Sequence, residues 1–111
     1  MNQRFCLALD LKDDANLIAE YERFHESVWP EIVESIKSSG IEDMEIYRLG
    51  TRMFMIMEVN ESFSPAAKAN ADQVNPKVVE WEALMWKFQQ ALPGAKPGEK
   101  WLPMKRIFKL P

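Results

Sequence analysis

The chain has 111 residues, of which 47% are hydrophobic, and its formal net charge at pH 7 is −3. This length and hydrophobic share predict a single folded domain over residues 1–111 and exclude a disordered chain. The mildly acidic balance disfavours nucleic-acid binding, which needs clustered Lys and Arg. A membrane span is not expected either, because no run of about eighteen apolar residues occurs.

The start of the chain and its cysteine content bear on the compartment. The first residues run directly into a strand-like pattern and lack the features of a secretion signal. Cys6 is the only cysteine, so no disulfide can form within the chain, and we expect a small core residue in a reducing environment. These features predict a cytoplasmic protein.

The first third of the chain predicts a strand followed by a broken helix. Apolar residues alternate over 5–11, which is the period of a strand. Asp13 and Asp14 then offer acidic helix-start chemistry, and three- and four-residue apolar spacing predicts a helix from about residue 14 into the region of His25. Pro30 fits the first turn of a renewed helix, and Gly40 fits its C-terminal cap. The break therefore falls beside His25.

The remaining pattern completes an α+β order. It predicts a hairpin of strands over 41–49 and 53–60 around Gly50, a weak helical patch over 64–71, a helix over 75–92 and a final strand over 101–110. One sheet of four antiparallel strands with helices on one face satisfies this order, which is the ferredoxin-like arrangement. Both faces of the strand over 53–59 are largely apolar, and helices can cover only one of them. We therefore expect a second copy of the chain to cover the other face, as a homodimer.

A spacing of four residues connects Tyr21, His25 and Trp29, so a phenol, an imidazole and an indole are predicted on one side of the broken helix. Histidine changes its protonation near neutral pH, and aromatic rings offer surfaces for flat, partly apolar ligands. The pattern suggests proton transfer on a small polar molecule. Spacing alone leaves each residue a structural alternative: a hydrogen-bonded structural histidine, a core tyrosine and a tryptophan that anchors the helix break.

Other chemistry is disfavoured by the residue types present. With one His and one Cys, a metal site is not expected, and no phosphate-binding glycine loop or nucleophile elbow occurs. Acid–base chemistry without a cofactor remains. Glu58 stands in an apolar strand, so it must be paired, bound to a ligand or exposed at the strand end. Trp86, one step round the late helix from Met85, is a candidate cavity residue, whereas Met85 and Met44 fit either a core or a pocket wall.

With these residues identified, the chain resembles the L-rhamnose mutarotase family and its L-fucose-type relatives over nearly its whole length. The resemblance is carried by Tyr21-x-x-x-His25-x-x-x-Trp29-Pro30-Glu31, Gly40-Ile41, Ile46-Tyr47, Met57-Glu58, Trp86-Lys87 and Phe108-x-Leu110-Pro111. It implies a dimeric ferredoxin-like α/β barrel that interconverts the α and β anomers of a 6-deoxyhexose without cofactor or metal.

The resemblance also implies roles for single residues. His25 matches the family's proton donor, Tyr21 a sugar-binding tyrosine, and Trp86 the second of two adjacent sugar-binding tryptophans. The first of those tryptophans is replaced by Met85, and a sugar-contacting tyrosine is replaced by Met44. We expect Trp86 to stack on the sugar ring and both methionines to enclose its methyl group. The segment 41–47 is closer to the L-fucose-type branch, which favours L-fucose over L-rhamnose as the substrate.

Two other classes of function remain open at this point. One is a non-catalytic dimeric module that binds a small molecule, in which His25 would be structural. The other is a different cofactor-free enzyme of the dimeric α/β-barrel type, such as an oxygenase or a lactone isomerase. Sugar binding without faster anomer exchange would indicate the first class, and oxygen consumption or lactone isomerisation would indicate the second.

Overall fold

The computed structural model describes residues 2–111. Nine elements follow one another along the chain: β1 (Gln3–Leu11), α1 (Ala15–His25), α2 (Pro30–Ser38), β2 (Ile41–Leu49), β3 (Arg52–Val59), α3 (Pro65–Val74), α4 (Pro76–Trp86), β4 (Gln89–Gln90) and β5 (Leu102–Pro103) within the described range. None of the helices in this range combines the length and the hydropathy needed to cross a bilayer.

The strands form one antiparallel sheet in the order β2-β3-β1-β4, and β5 also pairs with β1. The two short strands share the outer side of β1: β4 pairs with Asp10 and Leu11, and β5 pairs with Leu7 and Ala8. Together they fill the fourth sheet position, so the ferredoxin-like α+β arrangement is confirmed. The sheet of the single chain is open, since it does not close into a barrel.

Local sequence signals set the ends of the first two helices as predicted. The Asp14 carboxylate accepts hydrogen bonds from the backbone N–H groups of Asn16 and Leu17 and so caps α1. α2 begins at Pro30, and Gly40 follows its end with a φ of 99°. A Cβ at Gly40 would also lie 2.7 Å from the side-chain oxygen of Asn60, so both backbone and space require glycine there.

The helix predicted over 75–92 is too long. α4 ends at Trp86, and the chain turns at once into β4. The turn buries the Phe88 side chain in the core, and the Phe88 carbonyl accepts a hydrogen bond of 2.9 Å from the Lys12 backbone N–H. Pairing with the end of β1 therefore overrides the helical spacing of this segment. The weak helical patch over 64–71 is also a longer helix, α3, capped by the Ser64 hydroxyl.

The final strand predicted over 101–110 is reduced to two residues. β5 covers Leu102–Pro103, and one further bond of 2.7 Å joins the Met104 N–H to the Cys6 carbonyl. Beyond Met104 the tail has no regular structure, and the exposed fractions of Ile107 and Phe108 are 90% and 73%. These apolar side chains find no buried surface within residues 2–111, so packing does not reinforce further backbone pairing.

The core lies between one face of the sheet and the helices, as predicted. Leu9, Leu11 and Met53 of the sheet pack against helical side chains that include Trp81 and Met85. Strand residues alternate between faces, so Ala8, Phe54 and Ile56 lie on the opposite face. Within residues 2–111, none of these three residues belongs to the core cluster or to the residues packed against it.

Candidate functional site

A cleft of about 420 Å³ lies between α1 and the β2–β3 hairpin, and its wall contains Tyr21 and His25. The lining residues are Tyr21, Glu22, His25, Glu26, Ile46, Tyr47, Arg48 and Met53. Tyr21, Glu22 and His25 of α1, with Glu26 at its C-terminal cap, fall on one side of that helix because they stand at steps of one, three and four residues. The cleft thus combines an apolar floor with charged residues around it.

The His25 ring is oriented by its own helix. The Nδ1 atom lies 2.9 Å from the backbone carbonyl oxygen of Tyr21, and since a carbonyl only accepts, Nδ1 carries a hydrogen and donates it. The ring centroid lies 4.4 Å from that of Tyr21 and 5.8 Å from that of Trp81, whose ring meets it at a steep angle. With Nδ1 engaged on the backbone, Nε2 is the ring nitrogen available to a ligand.

The Tyr21 phenol is a buried, neutral group. The exposed fraction of the residue is 4%, and the Gln89 side-chain Nε2 donates a hydrogen bond of 3.2 Å to the phenol oxygen. Burial raises the pKa of Tyr21 to about 12; the Gln89 hydrogen bond acts in the lowering direction and the charge of Glu82 in the raising direction. At neutral pH this phenol therefore exchanges hydrogen bonds with a ligand and carries no charge.

The parent protein should lose stability at high pH as the Tyr21 phenol ionises, and replacement of Tyr21 by Phe should remove this loss. Because the folded-state pKa lies near 12 against 10.0 for the free side chain, the buried phenol stabilises the fold fully below pH 10. This contribution is lost between pH 10 and about 12, at about 1.4 kcal/mol per pH unit. Urea unfolding of the parent and of Tyr21→Phe across this pH range gives the two free energies of unfolding to compare. Tyr47 is present in both, so its titration cancels, and equal pH dependence would contradict the assignment.

Charged residues stand around the cleft. Arg48 forms an ion pair with Glu22 through Nε and donates through Nη1 to the Gly50 carbonyl at 2.8 Å. Glu26 follows His25 directly and is exposed. The sequence contained a signal for Glu22 and Glu26, because they stand one step after Tyr21 and His25 on the same helix. These two carboxylates were not among the residues predicted for the site.

The predicted methionine and tryptophan contacts lie elsewhere in the chain. Met44 lines a separate depression of about 270 Å³ between α2 and β2. Met85 is 2% exposed and belongs to the core. The Trp86 residue is 37% exposed, and the Lys100 Nζ lies 5.2 Å from the centroid of its ring. None of these three residues is among those that line the cleft of His25.

Trp29 and Glu58 also lie outside the cleft wall. The Trp29 ring meets Trp81 edge-on, with centroids 5.0 Å apart, just before α2. Glu58 pairs with the Arg4 guanidinium at 3.0 Å, so the carboxylate in this apolar strand has a partner. Across residues 2–111, no group of three or more His, Cys, Asp or Glu side chains is placed to hold a metal ion.

Known proteins are similar to this chain over almost its whole length. The family model described as L-rhamnose mutarotase matches residues 4–110. A protein from Xanthomonas campestris named L-fucose mutarotase is 56% identical over 110 residues, which cover 97% of this chain and 88% of that protein. A protein from Acidiphilium cryptum named L-rhamnose mutarotase is 29% identical over 105 residues, covering 95% and 97% respectively.

A solved structure gives the same result for the fold. The crystal structure of an L-rhamnose mutarotase from Formosa agariphila has a TM-score of 0.71 at 19% identity. The match covers 98% of this chain and 99% of that one. The family model spans both the cleft residues and the sheet. This chain therefore belongs to the L-rhamnose mutarotase family.

Proposed function

We propose that this protein is a sugar mutarotase that interconverts the α and β anomers of a 6-deoxyhexose, with L-fucose preferred over L-rhamnose. The observation that carries the proposal is the arrangement of His25: it forms part of the cleft wall, and its Nδ1 is engaged on a backbone carbonyl. Family membership and the 56% identity to a protein named L-fucose mutarotase support the same conclusion.

In the proposed reaction His25 carries a proton between two oxygen atoms of the sugar. The protonated ring gives its Nε2 proton to the ring oxygen as the bond between that oxygen and the anomeric carbon breaks. The bonding electrons stay on the ring oxygen, and the anomeric hydroxyl becomes a protonated carbonyl. Neutral His25 then takes the carbonyl proton, which leaves the open aldehyde. Rotation of the aldehyde and the reverse transfers form the other anomer.

Tyr21 holds the sugar in place beside His25 in this proposal. Its raised pKa, about 12, keeps the phenol neutral, so it bonds a sugar oxygen without adding charge to the cleft. Carboxylates accept hydrogen bonds from hydroxyl groups, so in this proposal Glu26, and Glu22 beside its ion pair with Arg48, bind sugar hydroxyls from the cleft wall.

The proposed sugar contacts of Trp86, Met44 and Met85 rest on the family resemblance. The Trp86 ring stands beside Lys100 and outside the cleft wall, so stacking on the sugar requires the occupied cleft to extend to it. Titration with L-fucose, followed by the indole N–H signals of the four tryptophans, tests this contact. An unchanged Trp86 signal at saturation would rule it out. Trp29 is assigned the anchoring role, and Glu58 the ion pair with Arg4.

The preference for L-fucose rests on similarity to relatives, because the replaced residues only relax the choice of sugar. A thioether, such as that of Met44, cannot reproduce the hydrogen bond of a tyrosine hydroxyl. A site that has lost such a bond no longer selects strongly for the sugar hydroxyl it matched. The more similar relative is named for L-fucose, whereas the relative named for L-rhamnose is 29% identical.

Saturation transfer between the anomer signals in NMR spectra tests the function directly. We expect the protein to accelerate exchange of L-fucose above the rate in buffer, and to accelerate exchange of L-rhamnose less. D-Glucose serves as a control that lacks the methyl group. Faster exchange of neither deoxy-sugar would overturn the proposal. Sugar binding without faster exchange would indicate a non-catalytic binding module instead.

We further propose that the working form is a homodimer, in the cytoplasm, built on the open face of the sheet. Phe54 and Ile56 of this face remain partly exposed, and the exposed fraction of Leu49 is 85%. The tail adds Phe108 and Leu110, which are 73% and 77% exposed. Exposed apolar side chains such as these favour association, and a second copy related by two-fold symmetry would cover the sheet face. Two open sheets face to face would make the dimeric α/β barrel.

A further inference from the structure

Arg48 lies on an outer strand of the sheet and faces the cleft of His25. Its register partner on β3 is Met53, which is 1% exposed, and paired residues of an antiparallel sheet point to the same face. Arg48 therefore extends over the helix-covered face, where it meets Glu22 of α1, 26 positions earlier in the chain. The Arg48 side chain is 37% exposed and that of Glu22 is 53% exposed, so a ligand in the cleft can reach both.

Two hydrogen bonds orient the Arg48 guanidinium and leave part of it free. Nε donates to the Glu22 carboxylate through its Oε1 atom, and Nη1 donates to the Gly50 carbonyl at 2.8 Å. Among residues 2–111, neither Arg48 Nη2 nor Glu22 Oε2 has a hydrogen-bond partner. Because the guanidinium is planar and rigid, its free N–H groups stay close to the carboxylate that Nε binds. The pair thus presents a donor and an acceptor together at the cleft wall.

We propose that Arg48 and Glu22 together bind two neighbouring hydroxyl groups of the sugar, those on carbons 3 and 4, and thereby help to determine which sugar is accepted. This inference rests on the proposed mutarotase function and adds Arg48 to its site. Arg48 Nη2 donates to one hydroxyl oxygen, and Glu22 Oε2 accepts the hydrogen of the other. Hydroxyl groups on adjacent carbons suit such a pair, because each can donate and accept a hydrogen bond.

The spacing of Glu22 and His25 along α1 indicates which hydroxyl groups the pair meets. Three residues of helix rise by about 4.5 Å, which is close to the width of a pyranose ring. In the proposed reaction His25 acts on the ring oxygen and the anomeric oxygen. The ion pair, almost one helical turn earlier, then meets the opposite side of the ring. That side carries the hydroxyl groups on carbons 3 and 4.

The charges of the cleft wall favour a neutral sugar. Arg48 compensates the charge of Glu22, whereas Glu26 has no ion-pair partner among residues 2–111. With His25 neutral, the lining residues carry one net negative charge. A phosphorylated sugar would meet like charge here, but a neutral polyol gains charge-assisted hydrogen bonds from the ion pair.

Binding of 1,5-anhydro-L-fucitol tests the inference separately from catalysis, because this compound lacks the anomeric hydroxyl and its ring cannot open. NMR titration gives Kd for the compound and for its 2-, 3- and 4-deoxy analogues. For the parent protein we expect the 3-deoxy and 4-deoxy analogues to bind roughly tenfold more weakly, as is typical when a hydrogen bond to a charged group is lost. The 2-deoxy analogue is the control ligand, and its relative affinity should be the same for the parent and for the variants.

Replacement of Arg48 by Met should raise Kd of 1,5-anhydro-L-fucitol roughly tenfold. Removal of at least one of the two hydroxyl groups, on carbon 3 or carbon 4, should then change Kd of this variant by less than about twofold, because its partner is already lost. Glu22→Met gives the same test from the other half of the pair, on a helix that tolerates methionine. Circular dichroism checks that each variant is folded. The matched control is Arg23→Met, an exposed arginine of α1 outside the cleft wall, which should bind as the parent does.

The outcomes separate this inference from the mutarotase proposal. Arg48→Met with Kd within about twofold of the parent value, or full additivity between this variant and both deoxy analogues, would overturn the inference and leave the mutarotase proposal standing. Failure of the parent to bind the compound would overturn the inference as well. Binding with the expected dependence on both hydroxyl groups, but without faster anomer exchange of L-fucose, would support the inference and overturn the mutarotase proposal.

Discussion

Replacement of His25 by Gln is expected to reduce the acceleration of anomer exchange by roughly 10²–10⁴-fold, the range typical for loss of a positioned acid–base group. Glutamine is similar in size and still donates a hydrogen bond, so the bond from position 25 to the Tyr21 carbonyl can be kept. It has no group that gains and releases a proton near neutral pH. Saturation transfer between the L-fucose anomers measures the loss.

The controls for His25→Gln test whether the fold is kept and whether the effect belongs to this position of the helix. Circular dichroism should match the parent, because position 25 is only partly buried. Glu20→Gln, an exposed residue on the same helix, is the matched control and should retain full activity. If His25→Gln accelerates exchange as well as the parent does, His25 is not the proton carrier, and the cleft residues that remain, Glu22 and Glu26, become the candidates.

Replacement of Ile56 by Lys should convert the proposed homodimer into monomers, with the dissociation constant raised by roughly a hundredfold or more. Ile56 stands in the middle of the open sheet face, between Cys6 of β1 and Glu45 of β2 in the register. A lysine there would be buried at the two-fold interface, and although Glu45 stands opposite it in the register, removing this charged pair from water is costly. Sedimentation equilibrium over a range of protein concentrations gives both dissociation constants.

The matched control for this experiment is Val79→Lys. Val79 is 50% exposed on α4, on the helical side of the molecule, so the same change there should leave the dimer intact. A parent protein that sediments as a monomer would contradict the homodimer proposal. A dimer that persists in Ile56→Lys would place the interface elsewhere, with the apolar tail that carries Phe108 as the next surface to change.

The parts of this protein that the sequence predicted are those that short-range chemistry determines. Asp14 caps the first helix, Pro30 begins the second, and Gly50, with a φ of 61°, forms the turn between β2 and β3. Tyr21 and His25 lie in one cleft because residues four apart share a helix face. The apolar alternation of the strands was enough to predict an antiparallel sheet with one covered face.

Contacts between residues far apart in the sequence decided the other parts of the fold and of the site. Helical spacing continues past Trp86, yet the end of β1 offers unpaired backbone groups that draw the chain into β4, and this brings Gln89 to Tyr21, 68 positions earlier. Arg48 reaches the cleft from β2, which is far from Tyr21 and His25 in the sequence. The sequence by itself determined α1, α2, the turn between β2 and β3, and the position of Tyr21 beside His25, because these depend on residues close together in the chain. Only the tertiary structure decided which polar groups surround that pair, because sheet register and burial are properties of the whole chain.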